Sequence, residues 1–232
     1  MTAVNILSGG AAQGLVRGLA DAFKAQTGFE IEGEFGAVGI MADKLRNGTV
    51  ADLIILTRAL VTRLADEKLV AAASIADIGV VETALAVRSG DPRVMATTEA
   101  DLRGVLREAD AIFVPDTKAS TAGMHVAKVL DQLGIAYEVA PRLRVFPNGA
   151  TAMRELAASN AKRPIGCTQA TEIIATPGLM LSGTLPPGYD LKTMYTAGVT
   201  TRAANPAQAR SLIDLLIGKD QSELRQRAGF GS

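Results

Sequence analysis

The run "ADLIIL" (51–56) constrains the fold more than any other stretch of this chain. It has no apolar–polar alternation, so it does not fit a strand with one wet face. A short, continuous apolar run suits a parallel strand buried on both faces. Burial on both faces requires helices above and below the sheet. The flanking sequence supplies them. "VNIL" (4–7) reads as an earlier strand, and Ala12, Leu15, Val16, Leu19 and Phe23 follow at helical spacing. "TGFEIEGEFG" (27–36) opens a second strand, with Phe29, Ile31 and Phe35 on its apolar side. A short helix is expected over 40–46 and another over 59–68. This β-α-β-α-β order implies a parallel sheet with right-handed crossovers.

The rhythm then changes and repeats. "ETALAVR" (82–88) is an alternating strand, followed by the loop "SGDPR". A helix is expected over 98–107, a strand at "AIFV" (111–114), and a helix over 121–133 after the loop "PDTKAS". "LRVF" (143–146) is a strand, Asn148 an N-cap, 149–158 a helix and "PIGCTQ" (164–169) a strand. "YTAGVTTRA" (195–203) reads as a strand returning to the first unit. Asn205-Pro206 with Gln208 is a helix-start signature: Asn caps, Pro fills the first turn and Gln reaches back. Helices over 206–217 and 220–227 close the chain. The pattern predicts two α/β units.

Composition narrows the function classes. Lys+Arg and Asp+Glu are equal at 24 each, aromatics are 4% and Trp is absent. The chain therefore offers neither a basic surface nor a stacking platform for nucleic acid. No apolar stretch reaches the roughly 18 residues of a membrane span, so no membrane insertion is expected. Cys167 and His125 are single. They exclude an internal disulfide and a Cys- or His-cluster metal site, and neither a cofactor nor a metal is expected. "MTAVNILSGG" has no basic start and no long apolar segment. The expected location is cytoplasmic as written, or periplasmic if an export signal has been removed. A monomer is expected.

Several loops could carry chemistry. Ser8-Gly9-Gly10 lies between a strand and a helix, which fits either a tight turn or an anion held on the helix N-terminus. "GAVG" (36–39) repeats the arrangement with Ala37, Val38 and Gly39. Ser120 and Thr121 supply hydroxyls at a third helix start, and Asn148 an amide at a fourth; an ordinary cap is the alternative for each. Arg58 follows "ADLIIL" at a strand C-terminus, where α/β sheets put ligands, and could clamp a carboxylate; a solvated surface Arg is the alternative. His125, Cys167 and Glu172 are candidate catalytic groups, and Asp116 a further acid or base. Each reads equally well as a packed, capping or surface residue.

"VNILSGGAAQGLVRGLADAFKAQTG", "ADLIIL", "STAGMHVAKVLDQLGI" and "NPAQARSLIDLLIGKDQSELRQRAGF" together resemble the molybdate-binding-protein family of ABC transporter substrate-binding components. The resemblance runs nearly the whole chain. It implies the two-lobed type II periplasmic binding fold, each lobe a mixed, mostly parallel sheet flanked by helices. It places lobe 1 at 1–82 plus 196–232, lobe 2 at 83–195, and crossovers near 80–86 and 190–200. A small anionic ligand would lie in a cleft between the lobes. The cleft loops would be Ser8–Ala12, Gly36–Gly39, Thr57-Arg58, Lys118–Gly123, Pro147–Gly149 and Thr168–Thr171. An ABC transporter permease is the implied partner of an exported protein.

Molybdate binders carry Ser in the first and second loops, where this chain has Ala11 and "GAVG". They carry Tyr where it has Gln169. The resemblance with these departures points to an organic carboxylate in place of molybdate. Two roles stay open: capture by lobe closure, or an enzyme on the same scaffold, such as an aconitate-isomerase-like enzyme moving a proton on a tricarboxylate.

Overall fold

The computed structural model describes residues 2–231. The chain runs β1 (Ala3–Gly9), α1 (Gln13–Thr27), β2 (Glu30–Gly36), α2 (Val38–Arg46), β3 (Leu53–Thr57), α3 (Arg58–Asp66) and β4 (Ala76–Arg88). It continues with α4 (Glu99–Glu108), β5 (Ala111–Pro115), α5 (Thr121–Gln132), α6 (Ala136–Val139), β6 (Leu143–Phe146), α7 (Gly149–Ala157) and β7 (Pro164–Gln169). Last come α8 (Ala170–Ile174), β8 (Leu179–Thr184), β9 (Lys192–Val199), α9 (Pro206–Ile217) and α10 (Ser222–Arg227). The chain forms two compact units. One runs up to Val81 and resumes at Thr193; the other is Glu82–Lys192.

In the first unit β1 pairs parallel with β2 and β3, and β9 lies antiparallel to β3. Leu53, Ile54, Ile55 and Leu56 are fully buried, as a strand covered on both faces requires. Their core includes Leu15, Leu19 and Phe23 of α1 and Leu212, Ile213 and Leu216 of α9. In the second unit β5 pairs parallel with β6 and β7, while β4 runs antiparallel to β7 and β8. Two clusters cover this sheet. Ile165 and Cys167 of β7 pack with Val126 and Leu130 of α5. The glycine between them, Gly166, leaves room for Met153 and Leu156 of α7 on the other face.

Parallel pairing puts the loops of each unit at one edge. Gly9 is opposite Gly36, and Ser8 is opposite Ile55, so β1, β2 and β3 all end there. Antiparallel β9 brings Tyr195 to the same edge, opposite Thr57. In the second unit Pro115 is opposite Phe146, and β7 ends nearby at Gln169. Antiparallel β4 brings Thr83 opposite Gln169.

Three local expectations differ from the structure. The returning strand stops at Val199 rather than 203. Thr200 keeps only a single bridge, to Val70, donating its N–H to Asp52 O at 3.0 Å and its hydroxyl to Ala51 O, and the chain turns after it. Asn205 does not cap α9 with its side chain. Its amide instead donates to Ala3 O at 3.1 Å. The segment 220–227 begins as a 3-10 turn, Lys219–Gln221, before α10. The structure also contains β8, which has no counterpart in the sequence reading.

Asp52, 1% exposed, accepts from Asn5 N at 2.8 Å and Asn205 N at 2.7 Å. It thereby ties β1, the approach to β3 and the start of α9. Asp52→Ala leaves two N–H groups without this acceptor. It should lower unfolding free energy by about 3 kcal/mol in denaturant titration, since bonds to charged groups are worth ~1.5–3 each and are not additive.

Candidate functional site

The first unit's edge is built largely from backbone. Gly9, Gly10 and Ala11 are buried, and Gly10–Ala12 form a 3-10 turn leading into α1. A Cβ on Gly9 would lie 2.8 Å from Val38 Cγ1 and 3.0 Å from Tyr195 Cε1. Glycine is thus required by close approach, and Tyr195, absent from the sequence reading, walls this loop. Ser8 donates its hydroxyl to Gly9 O at 2.9 Å, so that proton is already used. Ala37 and Thr57 precede α2 and α3 without side-chain caps. The side chain of Val38 belongs to the core, and Gly39 has none, so the "GAVG" loop contributes no side-chain donor. Arg58, at the start of α3, is exposed and paired to Asp77, whose other oxygen accepts from Thr196 Oγ1 at 2.7 Å.

The second unit's edge has more side chains. Ser120 caps α5, accepting from Gly123 N at 3.4 Å, with Thr121 beside it. Asn148 caps α7, accepting from Thr151 N at 2.8 Å. These caps engage the oxygens and leave the hydroxyl and amide protons for other partners. A Cβ on Gly123 would meet Asp116 O at 2.1 Å, so α5 starts against the end of β5. Asp116 accepts from the N–H groups of Lys118 and Ala119 at 2.7 and 2.8 Å, which hold its carboxyl below the usual range.

Glu172 is 7% exposed. Thr168 Oγ1 donates to its Oε2 at 2.5 Å, and the N–H groups of Gln169 and Ala150 also bond to it. A Cβ on Gly149 would sit 1.9 Å from that oxygen, so only glycine lets this carboxyl lie against the start of α7. Burial pushes the carboxyl up to about 7, against the pull of these hydrogen bonds. Gln169, 3% exposed, ends β7 across from Thr83.

The other candidates are occupied by structure. His125 Nε2 lies 2.7 Å from Tyr189 O. Cys167 packs in the α5-side core, where burial pushes its thiol up to about 12 and keeps it protonated. No hydrogen bond joins His125 to Cys167 among the described residues. A cavity of about 480 Å³ at the other end of this sheet, near Val94, Met95, Gly104 and Ile165, includes none of the candidate residues.

The chain matches the family of bacterial extracellular solute-binding proteins over residues 4–231, and it belongs to that family. A curated relative, aconitate isomerase of a Pseudomonas species, is 25% identical over 241 residues, covering 99% of this chain and 88% of that protein. The periplasmic molybdate-binding protein of Azotobacter vinelandii superposes with a TM-score of 0.83 at 17% identity, covering 99% of each chain. The sulfate-binding protein SubI of Mycobacterium tuberculosis does so with a TM-score of 0.76 at 19% identity, over 99% of this chain and 86% of that one. These structural neighbours establish the type II periplasmic binding fold.

Glu172 makes a test of the second unit. An acid whose folded pKa is raised takes up a proton on folding between its unfolded and folded values. Its stabilising contribution is therefore present at low pH and is lost as pH rises from about 4.5 to about 7. Glu172→Gln stays neutral throughout. Relative to wild type, this variant should gain about 2–3 kcal/mol between pH 5 and pH 8 in paired denaturant titrations. An equal pH slope in both proteins contradicts this account of the buried carboxyl.

Proposed function

We propose that this solute-binding protein captures a small organic carboxylate and, when exported, delivers it to an ABC transporter permease. The observation that carries the reading is the supply of donors at the first unit's edge. Ala11, Ala37, Val38 and Gly39 bring no hydroxyl, and the Ser8 proton is spent on Gly9 O. What remains in these loops is backbone N–H and the Arg58 guanidinium, with the Thr57 hydroxyl beside it. A dehydrated tetrahedral oxyanion needs donors on all sides, and each one missing from a buried site costs about 1–3 kcal/mol. A planar carboxylate needs fewer and matches a guanidinium. Arg58 already holds one carboxylate, that of Asp77. A ligand carboxylate would share or replace it.

In the first unit the proposed ligand residues are Ser8, Gly9, Gly10, Ala37, Val38, Gly39 and Arg58, mostly as backbone donors. In the second unit they are Ser120, Thr121, Asn148 and Gln169. In calorimetry, di- or tricarboxylates should bind more tightly than molybdate, tungstate or sulfate. Arg58→Ala should weaken the carboxylate by more than about tenfold, one charge-assisted pair being worth ~1.5–3 kcal/mol. Submicromolar molybdate binding by wild type, or unchanged carboxylate affinity in the variant, overturns the reading.

One observation favours a second reading, an isomerase acting on such an acid. Glu172 is a buried carboxyl titrating near neutrality, beside the start of α7 and the end of β7. Such a group can take a proton from one carbon and return one to another as a double bond moves. The aconitate isomerase relative is consistent with that chemistry. Incubation with trans-aconitate, followed by proton NMR, separates the two roles. An isomerase gives cis-aconitate in wild type and none in Glu172→Gln, whereas a pure binder gives none in either.

A further inference from the structure

The second unit holds buried hydrogen-bonding groups of opposite kinds with nothing to bond to. Gln169 Nε2, a donor, and Gln169 Oε1, an acceptor, both lack a partner among the described residues. So do the hydroxyls of Thr83 and Thr171. All three residues are at most 3% exposed. Buried polar atoms are almost always answered, so a group of them at a strand end calls for an occupant. Thr83 and Gln169 are paired across the β4–β7 ladder, so their side chains leave the same face of the sheet. Exchanging the amide's oxygen and nitrogen changes nothing, because both are unanswered.

The kinds of atom limit the occupant. An oxyanion offers acceptors only. It would satisfy Nε2 and the hydroxyls but leave Oε1 without a donor. A carboxylate has the same defect. A hydroxyl both donates and accepts, and can answer the two ends of the amide. The neighbouring Ala150 N–H is already bonded to Glu172, whose carboxyl disfavours a second negative group beside it. We propose that Gln169, with Thr83 beside it, reads a hydroxyl on the captured acid, so that the ligand class is a hydroxy-substituted carboxylate. This rests on the carboxylate reading above and adds the group that the second unit recognises.

Matched acids test it: L- and D-malate against succinate, and citrate against tricarballylate, titrated into the full chain by calorimetry. A site built around a hydroxyl rejects the analogue that lacks it, so wild type should favour at least one hydroxy acid by about tenfold or more. Gln169→Leu should bring that pair within about twofold by losing affinity for the hydroxy acid alone, as should Thr83→Val in part. Equal affinities in wild type overturn the proposal and leave the carboxylate reading standing; that is the result if a water answers these atoms. A preference that survives both substitutions also overturns it. If neither variant melts cooperatively, the wild-type ratio decides. If none of these acids binds, the carboxylate reading falls and this inference with it.

Discussion

A buried carboxylate with no cationic partner among the described residues sets the architecture of the first unit. Asp52 is reached by N–H groups from β1 and from the approach to α9, and its own backbone bonds to Asn5 O and accepts from Thr200 N. Three distant stretches of sequence, β1, the approach to β3 and the β9–α9 connection, therefore meet at one residue. A charge removed from water is tolerable only when donors answer it, and here the answering donors come from the segments the fold must bring together. The late return of β9 and α9 to the N-terminal strands depends on this meeting. So does the edge at which Gly9, Gly36, Thr57 and Tyr195 lie.

Glu172 is the corresponding residue of the second unit, with a different outcome. Its donors come from Thr168 and from the backbone of Gln169 and Ala150, all close by, and burial outweighs them. Asp52 closes its surroundings. Glu172 lies among groups left open, because Gln169, Thr83 and Thr171 retain unanswered atoms. A buried polar cluster that is only partly satisfied has no purely structural benefit, since each open atom costs desolvation without return. That contrast separates a fully answered, fold-defining carboxyl from one in a buried polar cluster that is only partly answered.

The fold was largely legible in the sequence because its signals are local. The two-faced strand 53–57, the helical spacing of α1 and the Asn148 cap all follow from neighbours within a turn or two. Failures arose where distant residues decide. β9 ends at Val199 although the β-prone run continues past it, and Thr200 is held by Asp52, Ala51 and Val70 as the chain turns away. Asn205 has the composition of a cap, but its amide is drawn to Ala3 O. At the candidate site the loops could be named from their glycines and hydroxyls. Tyr195 against Gly9 could not, because only the β3–β9 register brings it there. The pairing of Thr83 with Gln169 was hidden for the same reason. The glycines at 123 and 149 carry no signal in sequence beyond being glycine; their necessity lies in Asp116 O and the Glu172 carboxyl.

Arg58 and the start of α7 have one property in common. Each already holds a carboxyl of the protein itself, Asp77 in one case and Glu172 in the other. Donors aimed at open water must be dehydrated before they can grip a ligand, and their side chains must be ordered at the same time. Donors engaged by an internal carboxyl are already oriented, so binding becomes an exchange of one carboxyl for another. The free energy gained is then a difference between two similar contacts, smaller than either contact made from open water. Under the proposed reading, discrimination falls to groups that the internal carboxyls leave untouched. The amide of Gln169 and the hydroxyls of Thr83 and Thr171 are such groups, without partners among the described residues, and they would answer the pattern of donors and acceptors on the ligand rather than its charge.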